Sequence, residues 1–155
     1  MAPRFTPASL CAGPRQFGRI EKPQWRSGHP YRPEDAAAAW LQHQAAYSVR
    51  ETLQLLPPAN GKRRPPERVR LDALAAAGIE VTTIDELADL MGENKLWLSR
   101  KLNGAATASL TDLAGWAYHL NRPEVWPVPN SIADLMMPGD PRFRLSGPRR
   151  SAYRQ

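Results

Sequence analysis

Thr83-Ile84-Asp85-Glu86-Leu87-Ala88-Asp89-Leu90-Met91-Gly92, then Glu93, then Asn94-Lys95-Leu96-Trp97-Leu98-Ser99-Arg100-Lys101-Leu102-Asn103-Gly104, is the stretch on which the fold turns. Thr83 with Glu86 has the spacing of a capping box: the threonine oxygen accepts from the third helical amide and the glutamate reaches back. Ile84, Leu87, Ala88 and Met91 recur at i, i+3, i+4 and i+7, which is one face of a helix. Gly92 suits the left-handed position that ends it. Asn94 is placed to cap a second short helix, which Leu98 and Leu102 anchor and which Asn103-Gly104 ends. A small residue at Ala88 lets the second helix cross close to the first. The pair has the spacing of a helix-turn-helix.

Reading outward from this pair, Ser109-Leu110-Thr111-Asp112 repeats the cap pattern. Leu110, Leu113, Ala114, Ala117 and Leu120 make the buried stripe of a following helix, which Arg122-Pro123 stops. On the amino-terminal side, Pro66-Glu67 opens a helix that runs through Ala77 to Gly78, with Val69, Ala73, Leu74 and Ala77 on one face. No proline falls between Glu67 and Arg122, and residues 67–122 read as an all-α miniature domain of four short helices. Before it, residues 34–58 read as a long amphipathic helix ended by Pro57-Pro58, with Leu41, Ala45, Val49, Leu53 and Leu56 as its apolar stripe. That stripe must be buried, either on its own domain or against a partner chain. Residues 59–66 are a Pro- and Arg-rich linker. Residues 1–33, with six prolines and no periodicity, read as a basic disordered arm. Residues 123–155 read as a basic tail with one short helix at 131–137.

The 155-residue chain has formal net charge +6 and a pI near 10.0. The charge is unevenly spread: +5 over residues 1–33, −2 over 34–61, +4 over 62–70, −5 over 71–134 and +4 over 135–155. Within the acidic middle, Asn94–Asn103 holds Lys95, Arg100 and Lys101 and no acid. Such asymmetry points one face at a polyanion. The longest apolar run, Ala36–Leu41, is six residues, far short of the roughly 20 that span a bilayer and below the apolar centre of a secretory signal. The expected location is the cytoplasm, in association with the nucleoid.

If Leu98 and Leu102 face the core, Leu96, Ser99, Arg100 and Asn103 face outward, with Lys95 in the exposed first turn. A helix presented in this way puts its first residues against base edges in the major groove. Arginine bonds guanine bidentately there, lysine reaches guanine or phosphate, and Leu96 or Trp97 can meet a thymine methyl.

These runs, with Ser109-Leu110-Thr111-Asp112-Leu113, resemble the XRE family, the lambda-repressor- and Cro-like helix-turn-helix regulators of phages and bacteria. The resemblance covers about residues 67–121. It implies a four- or five-helix fold, no catalysis, and commonly a homodimer on an inverted repeat. By position it assigns Lys95, Leu96 and Arg100 to base reading and Thr83 and Asn103 to phosphates. With the residues taken from spacing and charge, the expected base-reading set is Lys95, Leu96, Trp97, Ser99 and Arg100. The expected phosphate set is Thr83, Asn94, Lys101 and Asn103, with Arg63, Arg64, Arg142, Arg144, Arg149 and Arg150 as basic arms. Double-stranded DNA is the expected partner, and transcriptional repression the usual consequence in such families.

Other chemistry has little to stand on. His29, His43 and His119 lie far apart, and Cys11 is the only cysteine, so no metal set and no disulfide is expected. Asn60-Gly61-Lys62 is no phosphate loop, since Leu56 stands where its first glycine belongs and Arg63 where Ser or Thr is required. Asp85, Glu86, Asp89 and Glu93 read as helix-dipole partners on a solvated face. Neither enzyme activity nor a cofactor is expected. The alternative is an antitoxin-like or adaptor module that binds a protein partner through the helix at 34–56, with DNA binding secondary.

Overall fold

Short local signals set the helix ends. α1 (Pro33–Thr52) begins with proline in its first turn, followed by Glu34 and Asp35 where the helix dipole favours acids. It stops earlier than the paired prolines suggest, because Gln54 takes a left-handed conformation (φ 55°) and turns the chain. α2 (Glu67–Ala76) follows Pro66, and α3 (Ile84–Met91) is capped by Thr83, whose hydroxyl accepts from the Glu86 amide at 3.0 Å. The return arm of that cap lands one residue early: the Glu86 carboxylate takes the Thr82 hydroxyl at 2.7 Å. Gly92, at φ 65°, ends α3. Asn94 caps α4 (Lys95–Leu102), and a complete Ser109–Asp112 capping box opens α5 (Leu110–His119). The computed structural model describes residues 5–13, 15–26, 32–58, 61–122 and 125, and among these it is all-α. The proposed short helix at 131–137 lies outside the described residues.

Most buried apolar residues among those described form one core, and Leu10, Ala36 and Ala39 form a second, smaller cluster. Phe17, Ala45, Val49 and Leu53 meet Leu87, Leu98, Leu102, Leu113 and Trp116 in a single buried cluster. The division into a separate helix at 34–58 and a domain at 67–122 is therefore corrected: α1 is built into the same core as α3, α4 and α5. Of its stripe, Ala45, Val49 and Leu53 are buried inside this chain, and Leu41 and Leu56 are partly buried. No helix among the described residues is long and apolar enough to cross a membrane.

The reading of residues 1–33 as a disordered arm is corrected too. Pro7–Leu10 form a 3-10 turn, and Cys11 pairs with Trp25 in an isolated antiparallel bridge. Leu10 and Phe17 are fully buried. Each such side chain contributes about 1.5–3 kcal/mol on leaving water, enough to hold an irregular segment that lacks any helical or strand period. Burial also pushes the Cys11 thiol up to about 11.

The segment seats on the end of α4. Phe17 lies over Gly104, which stands at φ 75°, and a Cβ there would come within 2.7 Å of the Phe17 ring. The Ala8 amide donates to the Gly104 carbonyl at 2.9 Å. Behind Phe17, His43 is buried among Phe17, Trp25, Trp40 and Tyr47. Its Nδ1 accepts the Gly18 amide at 2.8 Å, so the ring is neutral at that nitrogen.

Two stripes run differently from the sequence reading. On α5 the buried residues are Leu113, Trp116 and Leu120, while Leu110 is exposed. Trp116 takes the i+3 place beneath Leu113 and turns Leu110 and Ala114 outward. On α2, Leu74 is buried but Val69 is half-exposed, because Arg70 occupies the inner side. Its Nη1 donates to the carbonyls of Leu53 and Thr82, each at 2.8 Å, and so ties α2 to the end of α1 and the start of α3.

Two outcomes follow. Burial, against a weaker opposing hydrogen bond donated to the Glu21 carbonyl, holds the His43 imidazole below its usual range. The unfolded chain therefore binds the extra proton as pH falls through about 6.5. Stability measured by thermal unfolding should hold level above about pH 7.5 and decline as pH falls through about 6.5 to 5.5, and His43→Gln should flatten the profile across that window. Gly104→Ala should lower stability by about 2–4 kcal/mol in urea, from left-handed strain and the Phe17 clash together.

Candidate functional site

α3 and α4 pack against each other. Leu87 and Ala88 of α3 and Leu98 and Leu102 of α4 are buried, and Gly92 makes the turn between the helices. With its inner side fixed by Leu98 and Leu102, α4 turns Lys95, Leu96, Trp97 and Arg100 to solvent. Leu96 is 67% exposed and Trp97 51%, high values for large apolar side chains. The Arg100 guanidinium lies over the Trp97 ring, 4.9 Å from its centroid, a stacked cation that is held by the aromatic face. Lys95 reaches Asp85 of α3 at 3.2 Å, with both side chains mostly in water. Ser99 is half-buried beside Asn103.

Comparison of the chain with protein-family models, with curated proteins and with solved structures found no match.

The expected phosphate set fares unevenly. Thr83 and Asn94 both stand at helix starts, where their side-chain oxygens accept from Glu86 and Leu96 amides. Their oxygens serve as caps, and only the Thr83 hydroxyl proton and the Asn94 amide protons are free to donate outward. Asn103 accepts from the Arg50 Nη2 at 2.6 Å through Oδ1. Lys101 as a phosphate contact is corrected. Its side chain is only 16% exposed and its ammonium pairs with Glu93 and with Asp112, the latter at 3.1 Å. Burial pulls the Lys101 ammonium down, but the hydrogen bonds to Glu93 and Asp112 outweigh it, and the net effect is upward. The same pairing corrects Glu93 as a member of a solvated acidic face. Arg63 and Arg64 are exposed on the segment before α2. Arg142, Arg144, Arg149 and Arg150 lie outside the described residues.

Sequence reasoning missed the polar residues that hold the site from behind. Gln42 of α1 donates to the carbonyls of Lys101 and Ala106 at 2.7 and 2.9 Å and accepts the Ala108 amide at 2.8 Å, fixing the loop from α4 to α5. Arg50, 8% exposed, donates to the carbonyls of Gly18 and Leu102 at 2.8 and 2.9 Å. Neither carries a local signal, since their partners lie 32 to 66 residues away. Lys101 did carry one: Leu98, Lys101 and Leu102 stand at i, i+3 and i+4, on one face.

The two lysines of α4 should therefore separate cleanly in equilibrium urea unfolding. Lys101→Met leaves two carboxylates facing each other in a mostly buried place and should cost about 3 kcal/mol or more. Lys95→Met breaks an exposed pair and should change stability by less than about 1 kcal/mol.

Proposed function

We propose that this chain is a sequence-specific DNA-binding regulator of the XRE type, with α3 and α4 as a lambda-repressor-like helix-turn-helix and α4 as the helix laid in the major groove. It acts by binding, without catalysis, as a homodimer on an inverted repeat, and represses by covering a promoter. The observation that carries the reading is the contrast between the two sides of α4. Leu98, Lys101 and Leu102 lie on the inner side, while Lys95, Leu96, Trp97 and Arg100 are left projecting with no part of the described chain over them.

The chemistry of the projecting side fits base edges. Arg100 presents a guanidinium whose fork matches the N7 and O6 of guanine. Stacking on Trp97 restricts its rotamers before binding, so less freedom is lost on contact. Leu96 offers an apolar surface to a thymine methyl. Lys95 trades its exposed Asp85 pair for a phosphate or guanine at small cost. Arg63 and Arg64 add salt-sensitive attraction to the duplex backbone.

Selection from a random duplex library, followed by fluorescence anisotropy at two salt concentrations, tests this. The selected site should bind at least about 1,000-fold tighter than random duplex. Arg100→Ala should cost about 1–3 kcal/mol and relax preference at one base position. Equal affinity for selected and random duplex, unchanged by Arg100→Ala, would overturn the reading.

A further inference from the structure

His43 of α1 holds the amino-terminal segment through one lone pair. The Gly18 amide can only donate, so its 2.8 Å bond to Nδ1 requires that nitrogen to be bare and the ring proton to sit on Nε2. Nε2 in turn faces the Glu21 carbonyl at 3.5 Å. Both partners belong to the segment, and so do two of the rings around the imidazole, Phe17 and Trp25, at 5.5 and 6.0 Å between centroids. Two others, Trp40 and Tyr47, lie on α1 itself. Among the described residues, the hydrogen bonds and rings at His43 thus come from the segment and from its own helix. Lifting the segment away brings the imidazole into water while α3, α4 and α5 stay in place.

A proton on Nδ1 would set N–H against N–H at the Gly18 contact. Gly18 has no room to shift within the closed seat: even a Cβ there would come within 2.4 Å of Arg50, 2.7 Å of the Leu102 carbonyl and 2.9 Å of Ala46. The new charge would find no acid either. Among the described residues no carboxylate pairs with the imidazole. On α1, Arg50 repels a second positive charge, and Tyr47 is a neutral phenol. On the segment, Cys11 is a neutral thiol and Glu21 presents its backbone carbonyl. The closed arrangement therefore rejects the protonated ring, and the open one, where water solvates it, accepts it.

We propose that the amino-terminal segment is a strap released by acid, with His43 as its sensor and the bond from Gly18 to Nδ1 as its catch. Release takes Phe17 from over Gly104 and the Gly18 carbonyl from Arg50, so the end of α4 loses its cover. The helices stay joined through Ala45, Val49 and Leu53 with Leu87, Leu98, Leu113 and Trp116. With an ordinary value of about 6.5 for the imidazole in the open state, the ratio of open to closed strap rises about tenfold between pH 7.5 and 5.5. The device stands whether or not the chain binds DNA.

Amide hydrogen exchange of the full chain, read by NMR at pH 7.5 and 5.5 over a series of low urea concentrations and corrected for intrinsic rates, tests it. The amides of Ala8, Gly18 and Arg26, which donate to Gly104, His43 and Leu10, report the strap. Those of Leu98 and Leu113, within α4 and α5, report the whole fold. Strap amides should be less protected than the helix amides and depend less on urea, the mark of an opening short of global unfolding. Their protection should fall about tenfold from pH 7.5 to 5.5. His43→Gln can offer Gly18 an oxygen but does not titrate, so its strap protection should be the same at both pH values; His43→Asn serves if the longer amide does not fold. Strap and helix amides with equal protection and equal urea dependence would overturn the proposal, since the segment then leaves only with the whole fold. So would strap protection that ignores pH in the parent, or the same tenfold fall in the folded variant.

Discussion

A single buried guanidinium ties the molecule together. Arg50 projects from the last turn of α1 and takes carbonyl oxygens from the amino-terminal segment and from the last turn of α4, with the Asn103 side chain as a third acceptor. A charge out of water is costly unless its hydrogen-bonding groups are occupied. Its acceptors must therefore all be present at once, which requires Gly18 to lie against Leu102 and α1 to lie behind α4. Phe17 on Gly104 and the Ala8 bond to the Gly104 carbonyl complete the same junction. Removing Arg50 would free the end of the helix that presents Arg100, as well as the segment that covers it.

Polar side chains recur in this role because the helices are short. α3 and α4 have eight residues each, about two turns, too few to persist without support. Each buries two residues on the core, which is little apolar area for fixing a direction. Gln42, Arg50 and Arg70 supply direction by holding backbone carbonyls, and the Lys101 pair with Glu93 and Asp112 joins α4 to the turn before it and to the start of α5. Hydrophobic burial brings these helices together; the long side chains determine how they are turned.

That division explains what could be read from the residues alone. The caps at Thr83, Asn94 and Ser109, the left-handed Gly92, and the pairs Leu87/Ala88 and Leu98/Leu102 are contacts within four residues, and spacing reveals them. Trp116 and Lys101 were open to the same reasoning, since each stands at i+3 from a buried leucine. A preference for aliphatic stripes hid the tryptophan, and treating all positive charge as outward-facing hid the lysine. The amino-terminal segment is of another kind. Its proline content and irregular backbone match those of a disordered chain, and what orders it is Phe17 meeting a glycine 87 residues further on. No local pattern can carry a contact of that range, and nothing near Arg50 in sequence announces that its acceptors are Gly18, Leu102 and Asn103.

Where so much of the chain is committed to fixing α4, what α4 leaves uncovered acquires meaning. An exposed leucine alone is ordinary on a protein surface. Here Leu96, Trp97 and Arg100 project from one short helix whose opposite side is held by leucines, by a partly buried ion triad, and by α1 through Gln42 and Arg50. A rigid support under a projecting apolar and cationic face lowers the freedom lost when that face meets a partner. What supports duplex DNA as the proposed partner is that the projecting helix is narrow enough for the major groove and carries Lys95 and Arg100 on its exposed side. Along α1, Ala45, Val49 and Leu53 are taken up by the chain's own core, whereas Leu96 and Trp97 of α4 remain exposed.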